Sequence, residues 1–374
     1  MKRILIVIGT RPEAIKMAPV YLALKKAEGL EPYILSTGQH IELLDEALAT
    51  FGLNANYRLD IMKEAQTLAY LTSALAEGLG RIYEEISPDA ILVHGDTTTT
   101  MMGALMAFYM RIPVMHVEAG LRSKNRFEPF PEEINRRLVD QMADVLFPPT
   151  PMAKERIYEE KPEVVDIFTT GNTVVDALLW VKEKKLVNVS LHDGLKPKEY
   201  ILLTAHRREN WGEPLRNIYK AVKQIVKETG LKVIYPVHPN PRVKNVAYEE
   251  LGGIDGVILT EPMDYMSFLK HMSEARIVLS DSGGVQEEAP SFGVPVVLLR
   301  RVTERPEGVQ SGHIVLAGTD IDTIVEKTLQ MLDTTLPAYN PFGDGYASQR
   351  IADYIRYFLG LSEEKPKEWV ISYE

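Results

Sequence analysis

The chain has 374 residues, of which 45% are hydrophobic and 25% charged, with a formal net charge of −10 and no cysteine. This length exceeds one ordinary core and fits two domains, while the acidity excludes a large nucleic-acid footprint. The lack of cysteine excludes disulfides, thiolate nucleophiles and cysteine-type zinc sites. The apolar run at residues 4–8 is too short for a signal peptide or a membrane span, so we expect a cytoplasmic protein without membrane partners.

Short β-branched runs alternate with longer helical patterns along the chain. In the first half, candidates for buried parallel strands lie at residues 4–8, 33–36, 90–93, 114–117 and 145–147. Apolar residues spaced by three or four between Leu68 and Ile86 predict a helix between the second and third runs. The second half repeats the pattern at residues 200–203, 233–235, 257–259, 277–279 and 294–299. This alternation predicts two doubly wound α/β domains.

The predicted domains divide the chain at residues 168 and 348. Residues 1–168 form the first domain, residues 169–348 the second, and residues 349–374 a C-terminal helix and tail that pack back on the first. Each domain opens with a strand that leads into a basic loop, at residues 9–13 and 205–210. Because ligands of open α/β sheets bind beyond the carboxyl ends of the strands, we expect these loops to face a central cleft.

A glycine-bearing turn follows the predicted strand at residues 277–279. The turn and short helix at residues 281–288 place Ser282, Gly283 and Gly284 at a helix start, where unpaired N–H groups suit a diphosphate. The adjacent Glu287 and Glu288 would repel phosphate, so one of them is expected to accept hydrogen bonds from ribose hydroxyls. The stretch therefore predicts a nucleotide diphosphate site. The alternative is an acidic helix start favoured by the helix dipole.

Three carboxylates lie in or near loops that follow predicted strands: Asp96, Glu118 and Glu132. Carboxylates gathered at strand ends can hold different protonation states and act as acid and base. Each also has a structural alternative. Asp96 would cap the following helix, Glu132 would favour a helix start after Pro131, and Glu118 would serve the fold alone.

Basic residues occupy the same loops. Arginine forks suit phosphate oxygens, and a histidine beside a leaving diphosphate can donate a proton, so we predict anion contacts for Arg11, Lys16, His206 and Arg305. For three histidines two interpretations stay open, a catalytic residue or an ordinary core residue: His94, His116 and His238. His271 is predicted to be a solvated helix residue. The sequence lacks the G-x-G-x-x-G, P-loop and H-E-x-x-H motifs, which disfavours dinucleotide redox chemistry, P-loop hydrolysis and zinc proteolysis.

Seven motifs in order resemble those of one family. They lie at residues 9–16, 94–100, 116–122, 131–133, 206–210, 282–288 and 303–307. On these motifs the chain resembles the non-hydrolysing UDP-N-acetylglucosamine 2-epimerases, which are built like the GT-B glycosyltransferases, with two Rossmann-like domains facing a central cleft. The resemblance implies reversible conversion of UDP-N-acetylglucosamine to UDP-N-acetylmannosamine by anti elimination of UDP, through a 2-acetamidoglucal, and re-addition. It implies no cofactor and no metal.

The resemblance also implies roles for individual residues. The catalytic set is Asp96, Glu118, Glu132 and His206, with His206 beside the leaving diphosphate. The expected contacts to UDP or substrate are Arg11, Lys16, Arg136, Phe268 near uracil, Ser282, Gly283, Gly284, Glu288 at the ribose, and Arg305.

A second UDP-sugar site is found in many bacterial members. Here Gln39, Arg207 and His238 fit its pattern, although Glu42 and Ala65 stand where some relatives carry Gln and Arg. We also expect a homodimer with a role in cell-surface polysaccharide biosynthesis. The alternatives are a GT-B glycosyltransferase with a UDP-sugar donor, a hydrolysing 2-epimerase, and a nucleotide-sugar binding sensor.

Overall fold

The computed structural model describes residues 1–38, 41–59, 61, 67–160, 162–163 and 166–371. The chain divides into two compact units. The first comprises Met1–Ala177 and Phe342–Tyr373, and the second comprises Leu178–Pro341. Within the described ranges, no helix is both long and apolar enough to cross a membrane.

The first unit is built on a parallel sheet. Its strands in the described residues are β1 (Lys2–Ile8), β2 (Leu30–Ser36), β3 (Tyr57–Arg58), β4 (Ala90–His94), β5 (Val114–Val117), β6 (Val145–Phe147) and β7 (Asp166–Ile167). They lie in the order β3-β2-β1-β4-β5-β6-β7, so the chain winds outward in both directions from β1. In register, Ile4 of β1 pairs with Pro32 of β2 and Ala90 of β4. The strands β4, β5 and β6 are buried along their whole length, as expected for strands covered on both faces.

Helices cover this sheet. Up to the start of the second unit they are α1 (Arg11–Lys26), α2 (Ile41–Thr50), α3 (Leu68–Ile86), α4 (Thr98–Tyr109), α5 (Glu132–Met142), α6 (Pro151–Glu160) and α7 (Thr173–Lys184). The apolar stripe of α3 buries Leu71, Leu75 and Leu79 in the same core as Leu5 and Val93 of the sheet. The sequence predicted this helix because one face of a 3.6-residue period carries those leucines.

The second unit repeats the architecture with a second parallel sheet. Its strands in the described residues are β8 (Tyr200–Thr204), β9 (Lys232–Pro236), β10 (Val257–Thr260), β11 (Ile277–Ser280), β12 (Val296–Leu298) and β13 (Ile314–Leu316). The order is β10-β9-β8-β11-β12-β13, again wound outward from the first strand of the unit. The helices are α8 (Glu213–Thr229), α9 (Pro241–Leu251), α10 (Tyr265–Glu274), α11 (Gly283–Glu288), α12 (Pro306–Gln310) and α13 (Ile321–Leu332). The predicted pair of doubly wound α/β folds is confirmed.

A last helix, α14 (Ala347–Phe358), belongs to the first unit and packs against α1. Its first turn is capped from a distance, because the buried carboxylate of Asp176 accepts hydrogen bonds from the backbone N–H of Ser348 at 2.7 Å and of Ala347 at 3.3 Å. Burial raises the pKa of Asp176 to about 6, although these hydrogen bonds oppose the rise. The side chain of Tyr354 adds a hydrogen bond to Asp166 at 2.7 Å.

Candidate active site

The predicted carboxylates of the first unit follow adjacent strands. Asp96 follows β4, Glu118 follows β5, and Arg11 begins α1 directly after β1. Because β1, β4 and β5 are neighbours in a parallel sheet, their carboxyl ends meet at one edge. The fold therefore brings together side chains that are far apart in sequence.

Glu118 is the most constrained of these residues. Its φ of +66° lies in the left-handed region, which is unfavourable for a residue with a Cβ atom and is found where surrounding structure enforces it. Its side chain is 10% exposed, and Oε2 forms an ion pair with Lys16 Nζ. His94 Nε2 lies 3.6 Å from the same oxygen, and Asn172 Nδ2 donates to it at 3.3 Å.

The electrostatic surroundings keep Glu118 ionised. Burial would raise the pKa of its carboxyl group, but Lys16 and His94 outweigh this and hold the pKa well below its usual range. Lys16, predicted to contact UDP, is therefore in contact with a carboxylate of the first unit. Lys16 is a buried residue of α1, and its side chain is 11% exposed.

Asp96 is paired with Arg136. The guanidinium of Arg136 forms an ion pair with Asp96 Oδ2 and lies 3.3 Å from Glu133 Oε2. The capping alternative for Asp96 is wrong, because Thr97 is the cap of α4 and its Oγ1 accepts the backbone N–H of Thr100 at 3.1 Å. Arg136, predicted to contact substrate, holds two carboxylates in the described structure.

Glu132 is the first residue of α5, as its structural alternative required, but its environment differs from that of Glu118. The Oε2 atom of Glu132 is buried and has no hydrogen-bond partner among the described residues. Burial raises the pKa of Glu132, the nearby charge of Asp96 raises it further, and Arg136 opposes the rise. Two carboxyl groups of one unit are thus shifted in opposite directions.

Glu13 is a part of this site that sequence reasoning did not single out. Its Oε2 accepts the backbone N–H groups of Gly9 at 2.8 Å and Thr10 at 2.6 Å, and its Oε1 accepts the hydroxyl of Thr97 at 2.7 Å and lies 3.0 Å from Thr100 Oγ1. One buried carboxylate therefore joins the loop after β1 to the loop after β4. The spacing of Thr10 and Glu13 as a capping box was the available signal.

His116 is a core residue with satisfied hydrogen bonds. Its Nδ1 lies 2.6 Å from Asp140 Oδ1 and its Nε2 lies 2.7 Å from the carbonyl oxygen of Gly95. Each ring nitrogen therefore lies within hydrogen-bond distance of an oxygen acceptor. Arg122 donates to the other oxygen of Asp140 at 2.6 Å. This buried network orders the loop that carries Glu118.

In the second unit, buried Asp281 fixes the basic loop after β8. Its Oδ2 accepts the backbone N–H groups of His206 and Arg207, each at 2.9 Å, and Asn210 Nδ2 at 3.0 Å. The His206 ring stacks on His238 with 5.3 Å between ring centroids and 11° between planes. Burial lowers the pKa of His206, and His238 and Arg207 lower it further against the attraction of Asp281. An anion beside this ring would favour its protonated form.

Two arginines converge on the start of α11. A Cβ atom on Gly283 would lie 3.3 Å from a terminal nitrogen of Arg207 and 3.3 Å from one of Arg305. The glycine therefore leaves room for both guanidinium groups at a helix N-terminus, whose cap is Ser282. Gly284, the next residue, is exposed. Such an arrangement of N–H groups and cations suits an anion.

The two glutamates of α11 have different partners. Arg305 Nε donates to Glu287 Oε1 at 2.5 Å, and Glu287 is buried. Glu288 is partly exposed and accepts the hydroxyl of Tyr265 at 3.2 Å. The alternative of an acidic helix start is wrong, because α11 begins at Gly283 and its first turn contains no acidic residue.

The remaining predicted residues are placed as follows. Phe268 lies in α10 and is partly exposed. His238 Nδ1 accepts the backbone N–H of Asn240 at 3.1 Å. Gln39 lies outside the described residues. The prediction that His271 is solvated is wrong: it is 3% exposed, and its Nε2 accepts the backbone N–H of His192 at 2.9 Å.

The two doubly wound sheets define the class of the protein, a two-unit α/β fold of the GT-B type. Residues 22–356 match the family described as UDP-N-acetylglucosamine 2-epimerase. The chain belongs to the UDP-N-acetylglucosamine 2-epimerase family, which confirms the predicted family.

Relatives of the chain support this assignment over nearly its full length. It is 45% identical to a UDP-N-acetylglucosamine 2-epimerase of Bacillus subtilis over 97% of each chain. Among solved structures it is similar to the S. aureus MnaA–UDP co-structure, with 43% identity, a TM-score of 0.86, and coverage of 99% of this chain and 100% of that one. It is also similar to the Neisseria meningitidis UDP-GlcNAc 2-epimerase bound to UDP-GlcNAc, with 40% identity, a TM-score of 0.85, and coverage of 96% and 100%.

Proposed function

We propose that the protein is a non-hydrolysing epimerase that interconverts UDP-N-acetylglucosamine and UDP-N-acetylmannosamine. In the first step the C1–O bond breaks and its electron pair leaves with UDP. A base takes the C2 proton, and the C2–H electron pair forms the C1–C2 double bond of 2-acetamidoglucal. In the second step a proton is added to the opposite face of C2 and a UDP oxygen bonds to C1. The step is redox-neutral and consumes no water.

The order of bond breaking follows from the weak acidity of the C2 proton. No carbonyl group is adjacent to C2 within the ring, so a carboxylate alone is too weak a base. Departure of the diphosphate develops positive charge on the sugar, and this charge acidifies the C2 proton. Cations that stabilise leaving UDP and carboxylates that stabilise the sugar therefore contribute to the same transition state.

The observation that most supports this function is the opposed ionisation of Glu118 and Glu132. Groups whose environments move their pKa values apart are suited to act as a base and an acid. Glu118, with its pKa held low, is ionised at neutral pH and is the proposed proton acceptor. Glu132, with its pKa raised, is the proposed donor to C2. In the reverse reaction the two residues exchange roles.

Asp96 is proposed to stabilise positive charge on the sugar. It forms an ion pair with Arg136, and its charge supports the protonated form of Glu132. Lys16 is proposed to act through Glu118, because that carboxylate is its ion-pair partner. These assignments give each carboxylate of the first unit a different task.

The second unit is proposed to hold UDP. The structures of two relatives are described as complexes with UDP and with UDP-GlcNAc. In this chain the diphosphate contacts are proposed to be Arg11, Ser282, Gly283, Gly284 and Arg305. His206 is proposed to support the leaving diphosphate, Glu288 to bind the ribose hydroxyls and Phe268 to contact uracil. The Tyr265 hydroxyl, which donates to Glu288, would orient that carboxylate.

Further assignments extend this proposal. We infer that the predicted domains at residues 1–168 and 169–348 are each built on one of the two parallel sheets, although residues 169–177 and 342–348 group with the first compact unit. A second UDP-sugar site is proposed to contain Gln39, Arg207 and His238. A sigmoidal dependence of the epimerisation rate on substrate concentration would support this site.

A homodimer is also proposed, and light scattering of the purified protein tests it.

The experiment that tests the function is incubation with UDP-N-acetylglucosamine alone, followed by NMR of the products. The expected product is UDP-N-acetylmannosamine in equilibrium with the substrate. Free N-acetylmannosamine with UDP would identify a hydrolysing epimerase. Recovery of unchanged substrate, or turnover only with a sugar acceptor, would contradict the proposal.

A further inference from the structure

The Glu118 carboxylate is held through one of its two oxygens. Three nitrogen atoms approach Oε2: Lys16 Nζ, Asn172 Nδ2 at 3.3 Å and His94 Nε2 at 3.6 Å. Across the described ranges of the chain, the hydrogen bonds to this carboxylate end on Oε2 and none ends on Oε1. The three residues come from α1, the start of α7 and the end of β4, so they fix the carboxylate from three separate elements.

The amide of Asn172 has a defined orientation. Its Oδ1 accepts the backbone N–H of Val174 at 3.0 Å at the start of α7, and its own backbone N–H donates to the carbonyl of Phe342 at 2.7 Å. Because the oxygen of the amide is used in this hydrogen bond, the Nδ2 end is the one that points to Glu118. Asn172 thus both starts a helix and donates to a carboxylate.

His94 has no structural hydrogen bond that explains its presence. It is 3% exposed, and neither of its ring nitrogens has a hydrogen-bond partner among the described residues. Its backbone carbonyl accepts the Thr100 hydroxyl at 2.6 Å, which fixes the end of β4 but not the ring. A buried polar ring without partners costs stability that an apolar side chain of similar size would avoid. The carboxylate of Glu118 lies beside the ring, with its Oε2 atom 3.6 Å from Nε2.

We propose that His94 and Asn172 are positioning residues for the proton transfer at C2. Together with Lys16 they hold Oε2 of Glu118 and leave Oε1 as the oxygen that meets the substrate. This inference rests on the proposed epimerase function. Without these contacts the carboxylate rotates among several orientations, and fewer substrate complexes have Oε1 within reach of the C2 proton. The loss is expected in kcat, since neither residue is proposed to contact UDP.

Three substitutions separate this role from a purely structural one. His94→Leu removes both ring nitrogens at similar volume, and His94→Gln keeps an N–H donor. Asn172→Ser keeps a residue suited to cap α7 but removes the donor to Glu118. The matched control is His313→Leu, which removes another buried histidine, in the second unit and next to β13.

The measurements are kcat and KM for epimerisation, the Kd for UDP by calorimetry, and the unfolding temperature of each purified variant at pH 8. We expect His94→Leu and Asn172→Ser to lower kcat by about 10- to 100-fold, part of what a general base contributes, with KM and Kd changed by about twofold or less. The unfolding temperature of His94→Leu is expected to equal or exceed that of the wild type. His94→Gln is expected to recover most of the lost kcat, and His313→Leu to leave kcat unchanged.

Several results would overturn the inference. One is a kcat of Asn172→Ser equal to that of the wild type, and another is a change in KM and Kd instead of in kcat. A third is a loss of kcat in His94→Gln as large as that in His94→Leu. Asn172→Ser decides the question by itself if His94→Leu fails to fold. A wild-type protein that does not epimerise UDP-N-acetylglucosamine would reject the proposed function instead, so the two failures are distinguishable.

Discussion

Replacing Lys16 with methionine leaves a buried carboxylate without its main counter-charge. The side chains of Lys16 and Glu118 are only 11% and 10% exposed, so solvent screening is weak and the change belongs to the class of broken buried ion pairs. Removing one partner of such a pair costs about 3–5 kcal/mol. For a unit of this size the loss corresponds to a fall in unfolding temperature of roughly 10 °C at pH 8.

The penalty is expected to depend on pH. In the wild type the pKa of Glu118 is held low, so its stabilising contribution is present above its unfolded pKa and is lost only as the pH falls through the folded value. In Lys16→Met the pKa of Glu118 is expected to rise, because Lys16 no longer opposes the effect of burial and His94 is left to do so alone. Where the folded pKa lies above the unfolded one, each pH unit between the two values relieves up to about 1.4 kcal/mol as the pH falls, since protonated Glu118 needs no counter-charge.

Scanning calorimetry of four proteins at pH 8 and pH 5.5 tests this reasoning. Lys16→Met is compared with the wild type, with the exposed α1 control Lys25→Met, and with the double variant Lys16→Met/Glu118→Gln. We expect the loss in Lys16→Met to be smaller at pH 5.5, the control to stay within about 0.5 kcal/mol of the wild type, and the double variant to recover stability but not activity. An equal loss at both pH values, or a double variant as unstable as the single one, would refute the electrostatic explanation.

Three other variants probe the site and the fold. Asp96→Asn is expected to lower kcat by orders of magnitude, with the UDP affinity measured by calorimetry retained. The basic limb of the pH profile of kcat/KM is expected to move to lower pH, because one cause of the raised pKa of Glu132 is removed. Loss of UDP binding would make Asp96 a binding residue. Glu288→Ala is expected to weaken UDP binding by about tenfold with little change in kcat at saturation, and unchanged affinity would remove the ribose assignment. Asp176→Asn is expected to raise the unfolding temperature at pH 8 but not at pH 4.5. The reason is that ionisation of a buried carboxyl group with a folded pKa of about 6 costs stability once the pH exceeds that value. A lower unfolding temperature of the variant at pH 8 would contradict this prediction.

The central strands were predictable because burial on both faces leaves a continuous apolar run. β5 (Val114–Val117) and β6 (Val145–Phe147) have the predicted bounds. The strands β3, β7 and β13 were not predicted. They are two or three residues long and lie at the sheet edges. A strand at an edge pairs with one neighbour, so a short run with few apolar residues is enough to form it.

The sequence indicated which loops meet but not which side chains pair. Asp96 and Glu118 follow the neighbouring strands β4 and β5, so both lie at the carboxyl ends of the sheet's strands, and the apolar runs predicted those strands. The partners of these carboxylates depend on side-chain conformations and lie far along the chain: Lys16 is 102 residues from Glu118, and Arg136 is 40 residues from Asp96. The position of Lys16 in a basic loop therefore suggested an anion contact, and the resemblance suggested a UDP or substrate contact for Arg136, whereas both cations form ion pairs with carboxylates in the folded chain.

The same limit applied to the histidines at the strand ends. His94 ends β4 and His116 lies in β5, so the two look equivalent in sequence. Only the fold shows that both ring nitrogens of His116 have acceptors, whereas the ring of His94 lies beside Glu118 without a hydrogen bond. Asp281 was likewise visible as a strand-end carboxylate, but its role in holding the His206 loop requires the packing of two loops.

Proton exchange at C2 tests the central claim most directly. The wild-type protein is incubated with UDP-N-acetylglucosamine in deuterated water, and the epimerised product is examined by NMR and mass spectrometry. The account predicts one solvent-derived deuterium at C2 of UDP-N-acetylmannosamine and none at other carbons. Epimerised product that keeps its original C2 hydrogen would contradict removal and return of the proton by carboxylates that exchange with solvent.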